Sequence, residues 1–165
     1  MKSLLLVRHA KSSWDYPGLT DFERPLNKRG HRDAPFMGQV LKKMDAVPDL
    51  IISSPATRAI STARYFAESL EYPKEKIISD ERLYDAAPSE IIQVISETDR
   101  SVTKLMIVSH NPGLTETADQ LSGEIIDNIV TSAIFNIDFD TDSWKMISRK
   151  NARIGFYEYP RKHQR

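Results

Sequence analysis

The stretch SLLLVRHAKSS, Ser3 to Ser13, decides how the rest of the chain is read. Ser3 to Val7 is a short apolar run, and Arg8 and His9 close it at once. A run that is apolar on both faces suits a strand covered by helices on both sides. Three more runs have this character: Leu50 to Ser53 (LIIS), a shorter one at Ile77 and Ile78, and Lys104 to Ser109 (KLMIVS). Helical patterns lie between them. Pro35 to Met44 places Phe36, Val40, Leu41 and Met44 on one face, and Pro35 either starts this helix or kinks one begun near Asn27. Pro55 to Leu70, Pro88 to Glu97 and the shorter Gly113 to Leu121 follow. Ser132 to Phe139 and Trp144 to Ser148 alternate as strands do, with Asp140-Thr141-Asp142 turning between them. Strands alternating with helices predict an α/β fold: a three-layer α/β/α sandwich on a mainly parallel sheet, with antiparallel character in the C-terminal strands. The tail from Pro160 to Arg165 reads as frayed.

The 165 residues contain no repeat, low-complexity tract or Gly/Ser linker, so one domain over residues 1–165 is expected. The longest loop-like stretch runs from Lys11 to Asn27 and carries Pro17, Gly18 and Pro25. Loops of this length inside compact domains are often functional. The chain has no cysteine, which excludes a thiolate nucleophile, a Cys-based zinc site, an iron–sulfur cluster and CxxC redox chemistry. Lys and Arg balance Asp and Glu, 23 against 23, so no charge excess points to nucleic acid or an anionic membrane. The N-terminal apolar run is far below the ~20 residues of a membrane span and too short for a signal-peptide core. A cytoplasmic location, with no membrane and no nucleic acid as partner, is the expectation.

In open α/β sheets, ligands bind beyond the carboxyl ends of the strands. The first run ends in Arg8-His9-Ala10, the second in Ser53-Ser54-Pro55-Ala56-Thr57-Arg58, and the fourth in Ser109-His110-Asn111-Pro112. Taken singly, an arginine or histidine after a strand has an ordinary reading as a solvated or capping residue. Together, three separated segments deliver two arginines and two of the chain's 4 histidines to one sheet edge. Arginine offers a planar, permanently charged fork that suits phosphate. Ser54 reads as an N-cap with Pro55 at the first helical position, which sets Arg58 in a first turn whose free N–H groups also favour an anion. Of the two imidazoles, one can stay neutral and attack while the other donates to a phosphoryl oxygen. No Walker loop, GxGxxG, HExxH or GxSxG motif is present. His31 and His163 stand alone and read as exposed surface residues. Asp138, Asp140 and Asp142 lack the glycine and terminal glutamate of a calcium loop and read as a solvated turn. Trp14 and Phe22 flank the long loop; partial packing is the expected role, lining the pocket mouth the other. Tyr65 and Phe66 read as core, and Phe139 and Trp144 as strand residues.

LLLVRHA, ISSPATRAISTA and IVSHNPGL, in this order, resemble the three signature blocks of the histidine phosphatase superfamily, the phosphoglycerate-mutase-like group with an RHG motif near the amino terminus. The short chain and DFERPLNKRG after the first block look most like SixA-type phosphohistidine phosphatases. The resemblance spans Leu4 to about Leu114. It implies a phosphoglycerate-mutase-like fold and a metal-independent phosphatase that needs no cofactor. His9 then matches the nucleophile that becomes phosphorylated, Arg8 and Arg58 the phosphate-pocket arginines, and His110 the second pocket histidine. Arg24 matches a further basic group of SixA-like members. The proton donor is left among Asp21, which sits beside Arg24 and is preferred, Glu81 and Asp85. Ala10 departs from the family's glycine and needs a backbone compatible with a Cβ. Repulsion from the surrounding cations should lower the His9 pKa. The implied substrate is phosphohistidine on a signalling protein, and the chain is expected to be a monomer or weak oligomer. A broad small-molecule phosphomonoesterase and a non-catalytic phosphate-binding scaffold are the alternatives.

Overall fold

A computed structural model describes residues 1–164. Its centre is a six-stranded sheet in the order β3-β2-β4-β1-β5-β6. The strands are β1 (Lys2–Arg8), β2 (Leu50–Ser53), β3 (Ile78–Ser79), β4 (Lys104–Ser109), β5 (Ile134–Phe139) and β6 (Ala152–Glu158). The first four run parallel, while β5 is antiparallel to both β1 and β6. Four helices cover the sheet: α1 (Lys28–Lys43), α2 (Thr57–Ser69), α3 (Pro88–Ser96) and α4 (Gly113–Ser122).

The period of two in the central strands sorts their apolar side chains between two cores. Leu5 and Val7 of β1, with Met106 and Val108 of β4, pack against Met37, Leu41, Ala63 and Phe66 of α1 and α2. Leu4 and Leu6, with Leu105 and Ile107, face Ile91, Ile95, Leu114 and Leu121 of α3 and α4. The result is the expected three-layer α/β/α sandwich. No helix among the described residues is long and apolar enough to cross a membrane.

Several local expectations are corrected. Helix α1 begins at Lys28, capped by the Asn27 side chain, which accepts from Gly30 N at 2.9 Å, and it carries Pro35 inside. Ser54 does not cap α2: the helix starts at Thr57 with Ala56 at its cap, and the Ser54 hydroxyl accepts from Ala56 N at 3.2 Å and pairs with His110 Nε2 at 2.8 Å. Trp144 to Ser148 is not a strand. Trp144–Met146 forms a 3-10 turn in which the buried indole donates to the Val102 carbonyl at 2.8 Å. The last strand is instead β6, whose ARIGFYE shows little alternation because it is a largely exposed edge. The tail is not frayed through His163, since Pro160–His163 forms a 3-10 turn tied by Lys162 and His163 to Glu158, at 3.0 and 2.7 Å.

Candidate active site

The carboxyl ends of β1, β2 and β4 lie side by side, and backbone hydrogen bonds extend the sheet one residue further. His9 N donates to Ser109 O at 3.1 Å, and Ser54 N donates to Val108 O at 2.9 Å. Arg8, His9, Ser54 and His110 therefore stand on one rigid edge. The rings of His9 and His110 have centroids 5.0 Å apart. Arg58, the second residue of α2, reaches the same place from the helix amino terminus. Arg8, His9, Arg24 and Arg58 share a cleft of about 170 Å³ with Lys11 and Trp14.

His9 is held in one tautomer. Its Nδ1 lies 2.7 Å from the Ala10 carbonyl, which can only accept, so Nδ1 carries the proton and Nε2 keeps a lone pair. Its pKa falls to about 3, first through burial; the bond to Ala10 opposes this, and His110, Arg58 and Arg8 lower it further. Repulsion thus acts in the expected direction, but desolvation is the larger cause. His110 falls to about 4, again first through burial and then through Arg58. Its Nε2 lies 2.8 Å from Ser54 Oγ, and its buried Nδ1 has no partner within the protein. Ala10 fits the core without a left-handed backbone, and its N–H donates to Thr62 Oγ1 at 2.9 Å.

The long loop closes on itself and brings further groups to the cleft. Ser12 bridges to Leu26, and Ser13 N donates to Pro25 O at 2.8 Å. Arg24 is buried; its Nε donates to Ser13 O at 3.1 Å and one terminal nitrogen donates to Ser12 Oγ at 2.5 Å. Asp21 sits between two arginines: Arg24 donates to its Oδ1 and Arg58 to its Oδ2, each at 3.0 Å. Arg58 also donates to the Asp21 carbonyl at 2.7 Å. The Tyr84 hydroxyl donates to Oδ2 at 2.7 Å. That hydroxyl first, then the arginines, holds Asp21 at about 2, below the usual carboxylate range. Asp21 therefore reaches the site, with its carboxylate tied to Tyr84, Arg24 and Arg58. Asp85 lines a second cavity of about 280 Å³ with Asp21, Arg58, Tyr84, His110 and Asn111. Glu81 is exposed on a 3-10 turn and lines neither cavity.

His31 and His163 lie outside both cavities, with His31 exposed beside the Tyr65 hydroxyl at 2.8 Å. Among the described residues no group of three His, Cys, Asp or Glu side chains could hold a metal ion. The sequence reading missed Tyr84, Lys11 and the pairing of Ser54 with His110. Tyr84 was within reach of the strand-edge rule, since it lies between Glu81 and Asp85 after β3. Trp14 both packs in part and lines the cleft: it is 76% exposed, with the Arg24 guanidinium carbon 3.4 Å from its ring centroid.

Comparison with known proteins bears on the family and the fold. The family described as Histidine phosphatase superfamily (branch 1) matches residues 4–91. An uncharacterised chloroplast protein of Arabidopsis thaliana is 34% identical over 76% of the chain, and an uncharacterised Mycobacterium tuberculosis protein is 38% identical over 64%. The matches cover 61% and 63% of those two relatives, so the chain spans less than two thirds of either. Among solved structures, the SixA protein of Agrobacterium tumefaciens, assigned as a phosphohistidine phosphatase, superposes with a TM-score of 0.83 at 25% identity, covering 96% of this chain and 98% of that one. A histidine phosphatase SixA complexed with tungstate superposes at 0.82 with 20% identity, over 97% and 98%, and shares the fold. The chain belongs to the histidine phosphatase superfamily and is SixA-like in structure.

Proposed function

We propose that this protein is a metal-independent phosphatase that works through a phosphohistidine at His9 and removes phosphate from phosphohistidine on a protein partner. The observation that carries the reading is the fixed tautomer of His9, an unprotonated Nε2 in a cleft lined by three arginines. In the first transfer the Nε2 lone pair bonds to phosphorus and the bond from phosphorus to the leaving group breaks. Arg8, Arg58 and His110 hold the equatorial oxygens, whose charge they complement throughout. In the second transfer water attacks phosphorus, the bond to Nε2 breaks, and inorganic phosphate leaves with His9 back in its starting tautomer.

The leaving group must accept a proton unless it already carries one. Asp21, held at about 2 by Tyr84, Arg24 and Arg58, carries that proton only rarely at neutral pH. A phosphoimidazole that enters with its ring protonated departs as neutral imidazole and needs no such donor, whereas an alkoxide does. This favours phosphohistidine over an alkyl phosphate. The likeness to SixA proteins supports the same substrate class.

The test is trapping: incubate with a labelled phosphohistidine protein, quench, and find acid-labile phosphate on His9. Full turnover by His9→Ala would overturn the mechanism. Faster hydrolysis of sugar phosphates than of the phosphohistidine protein would overturn the substrate and favour a general phosphomonoesterase.

A further inference from the structure

We propose that Trp14 is a stacking platform for the ring that carries the phosphoryl group, and that it makes the site selective for phosphate on a planar ring over phosphate on an alkyl chain. The inference deepens the proposed function and rests on its phosphate cradle.

Trp14 is the most exposed large aromatic side chain among the described residues, at 76%, although tryptophan is among the more buried residue types on average. It is exposed without being loose. One face lies over the Arg24 guanidinium at 3.4 Å, within the range of a cation–π contact. Arg24 is itself fixed by donors to Ser13 O, Ser12 Oγ and Asp21 Oδ1. The indole thus rests on a cation tied at three points. It lines the same cleft as His9, Arg8 and Arg58.

The position suits a ring. In a phosphoimidazole the ring is bonded directly to phosphorus, and in an aryl phosphate one oxygen lies between them. A phosphoryl group seated among Arg8, Arg24 and Arg58 leaves its ring at the rim of the cleft, where Trp14 offers an indole. The far side of the site is aromatic as well. Tyr84 lies edge-on to His110 with centroids 5.5 Å apart, and Phe22 edge-on to Tyr84 at 5.1 Å. An alkyl phosphate would leave these faces unstacked.

The test uses two non-hydrolysable probes, phenylphosphonate and methylphosphonate, titrated calorimetrically into the wild-type chain, Trp14→Ala and Trp14→Phe. Wild type should bind phenylphosphonate about 3- to 10-fold more tightly, the range of one aromatic pair. Trp14→Ala should lose that preference and change methylphosphonate affinity less than about 2-fold, while Trp14→Phe keeps most of it. An unchanged preference in Trp14→Ala overturns the platform. So does an equal loss for both probes, which would mean that Trp14 acts only by supporting Arg24. Ring preference without any phosphoryl-His9 on trapping would sink the phosphatase reading and leave the platform standing. Turnover of phosphohistidine and phosphotyrosine peptides then separates the two ring sources: a faster phosphohistidine peptide fits the proposed substrate, and a faster phosphotyrosine peptide overturns it.

Discussion

Lowering the pH should destabilise this protein through two buried histidines. His9 and His110 are each only 8% exposed, and burial is the first cause of their low pKa values, about 3 and about 4 against an ordinary 6.5. The unfolded chain takes up a proton at each ring below 6.5, while the folded chain refuses both until the pH nears 4. The unfolded state therefore binds more protons in this window, and stability falls as the pH falls. The loss begins at 6.5 and levels off at the folded values. At about 1.4 kcal/mol per pH unit and per ring, moving from about pH 7.5 to about pH 5 costs about 2 kcal/mol for each histidine, about 4 for the pair. Against a typical total of about 5–15 kcal/mol that is a large share. Urea unfolding at both pH values, on wild type and on His9→Gln/His110→Gln, isolates the effect, because His31, His163 and the carboxylates are common to both proteins. Wild type should lose about 4 kcal/mol more than the double variant. Equal losses would refute the reasoning and mean that the two rings are protonated in the fold.

Four further outcomes are expected. Ser54→Ala removes the partner of His110 Nε2; it should cost about 1 kcal/mol in thermal unfolding and about tenfold in kcat. Asp21→Asn removes the carboxylate that competes with an incoming anion for Arg24 and Arg58; inorganic phosphate should bind about fivefold more tightly by calorimetry, as for about 1 kcal/mol of repulsion relieved, and weaker binding would count against this. Gly30→Ala would drive a Cβ into the Lys11 carbonyl, backbone that cannot step aside; about 1–3 kcal/mol should be lost in urea melts, with activity falling as the loop shifts. Finally, kcat/KM should show no acid limb near 6.5 arising from the enzyme, because His9 stays unprotonated down to about 3; a break at 6.5 that persists across substrates of different pKa would contradict the buried, neutral His9.

The parallel half of the sheet was legible because β1, β2 and β4 are apolar on both faces, a pattern that solvent-exposed structure rarely needs. In the C-terminal hairpin, β5 and the antiparallel pairing were legible, but the second strand was not. Trp144 looks like a strand residue by type, yet it is buried in the core from a 3-10 turn, with its indole N–H satisfied by the Val102 carbonyl. Strand β6 hides because it is a largely exposed edge whose few packed apolar residues, Ala152, Phe156 and Tyr157, do not alternate regularly, and Gly155 sits where a Cβ would meet the Asn136 side chain. In the site, the residues at strand ends could be placed by one rule about sheet edges. The partners could not. That His110 engages Ser54, or that Tyr84 and two arginines converge on Asp21, depends on how α2, the long loop and the turn after β3 meet in space, and local sequence carries no record of that distance.

Asp21 explains how a pocket built for an anion exists in a chain with no net charge. Two arginines within reach of one carboxylate would otherwise repel each other while the cleft is empty. Asp21 offsets part of their charge, yet it does not exhaust their donors. A guanidinium has five N–H donors. Arg58 spends two on Asp21, one to the carbonyl and one to Oδ2, which leaves three. Arg24 spends three, on Ser13, Ser12 and Asp21, which leaves two. A phosphoryl group can thus be accepted without breaking the loop's own bonds. The carboxylate that holds the loop against α2 also orients the forks, so their geometry is set before the substrate arrives and little reorganisation remains for the transfer itself. The same arrangement explains why Asp21 is a poor proton donor: whatever strengthens it as an anchor for Arg24 and Arg58 lowers its pKa. One carboxylate cannot serve both ends at neutral pH, and in this site the geometry has chosen the anchor. In the proposed mechanism the leaving group then brings its own proton or takes it from another group, which favours a protonated phosphoimidazole over an alkoxide.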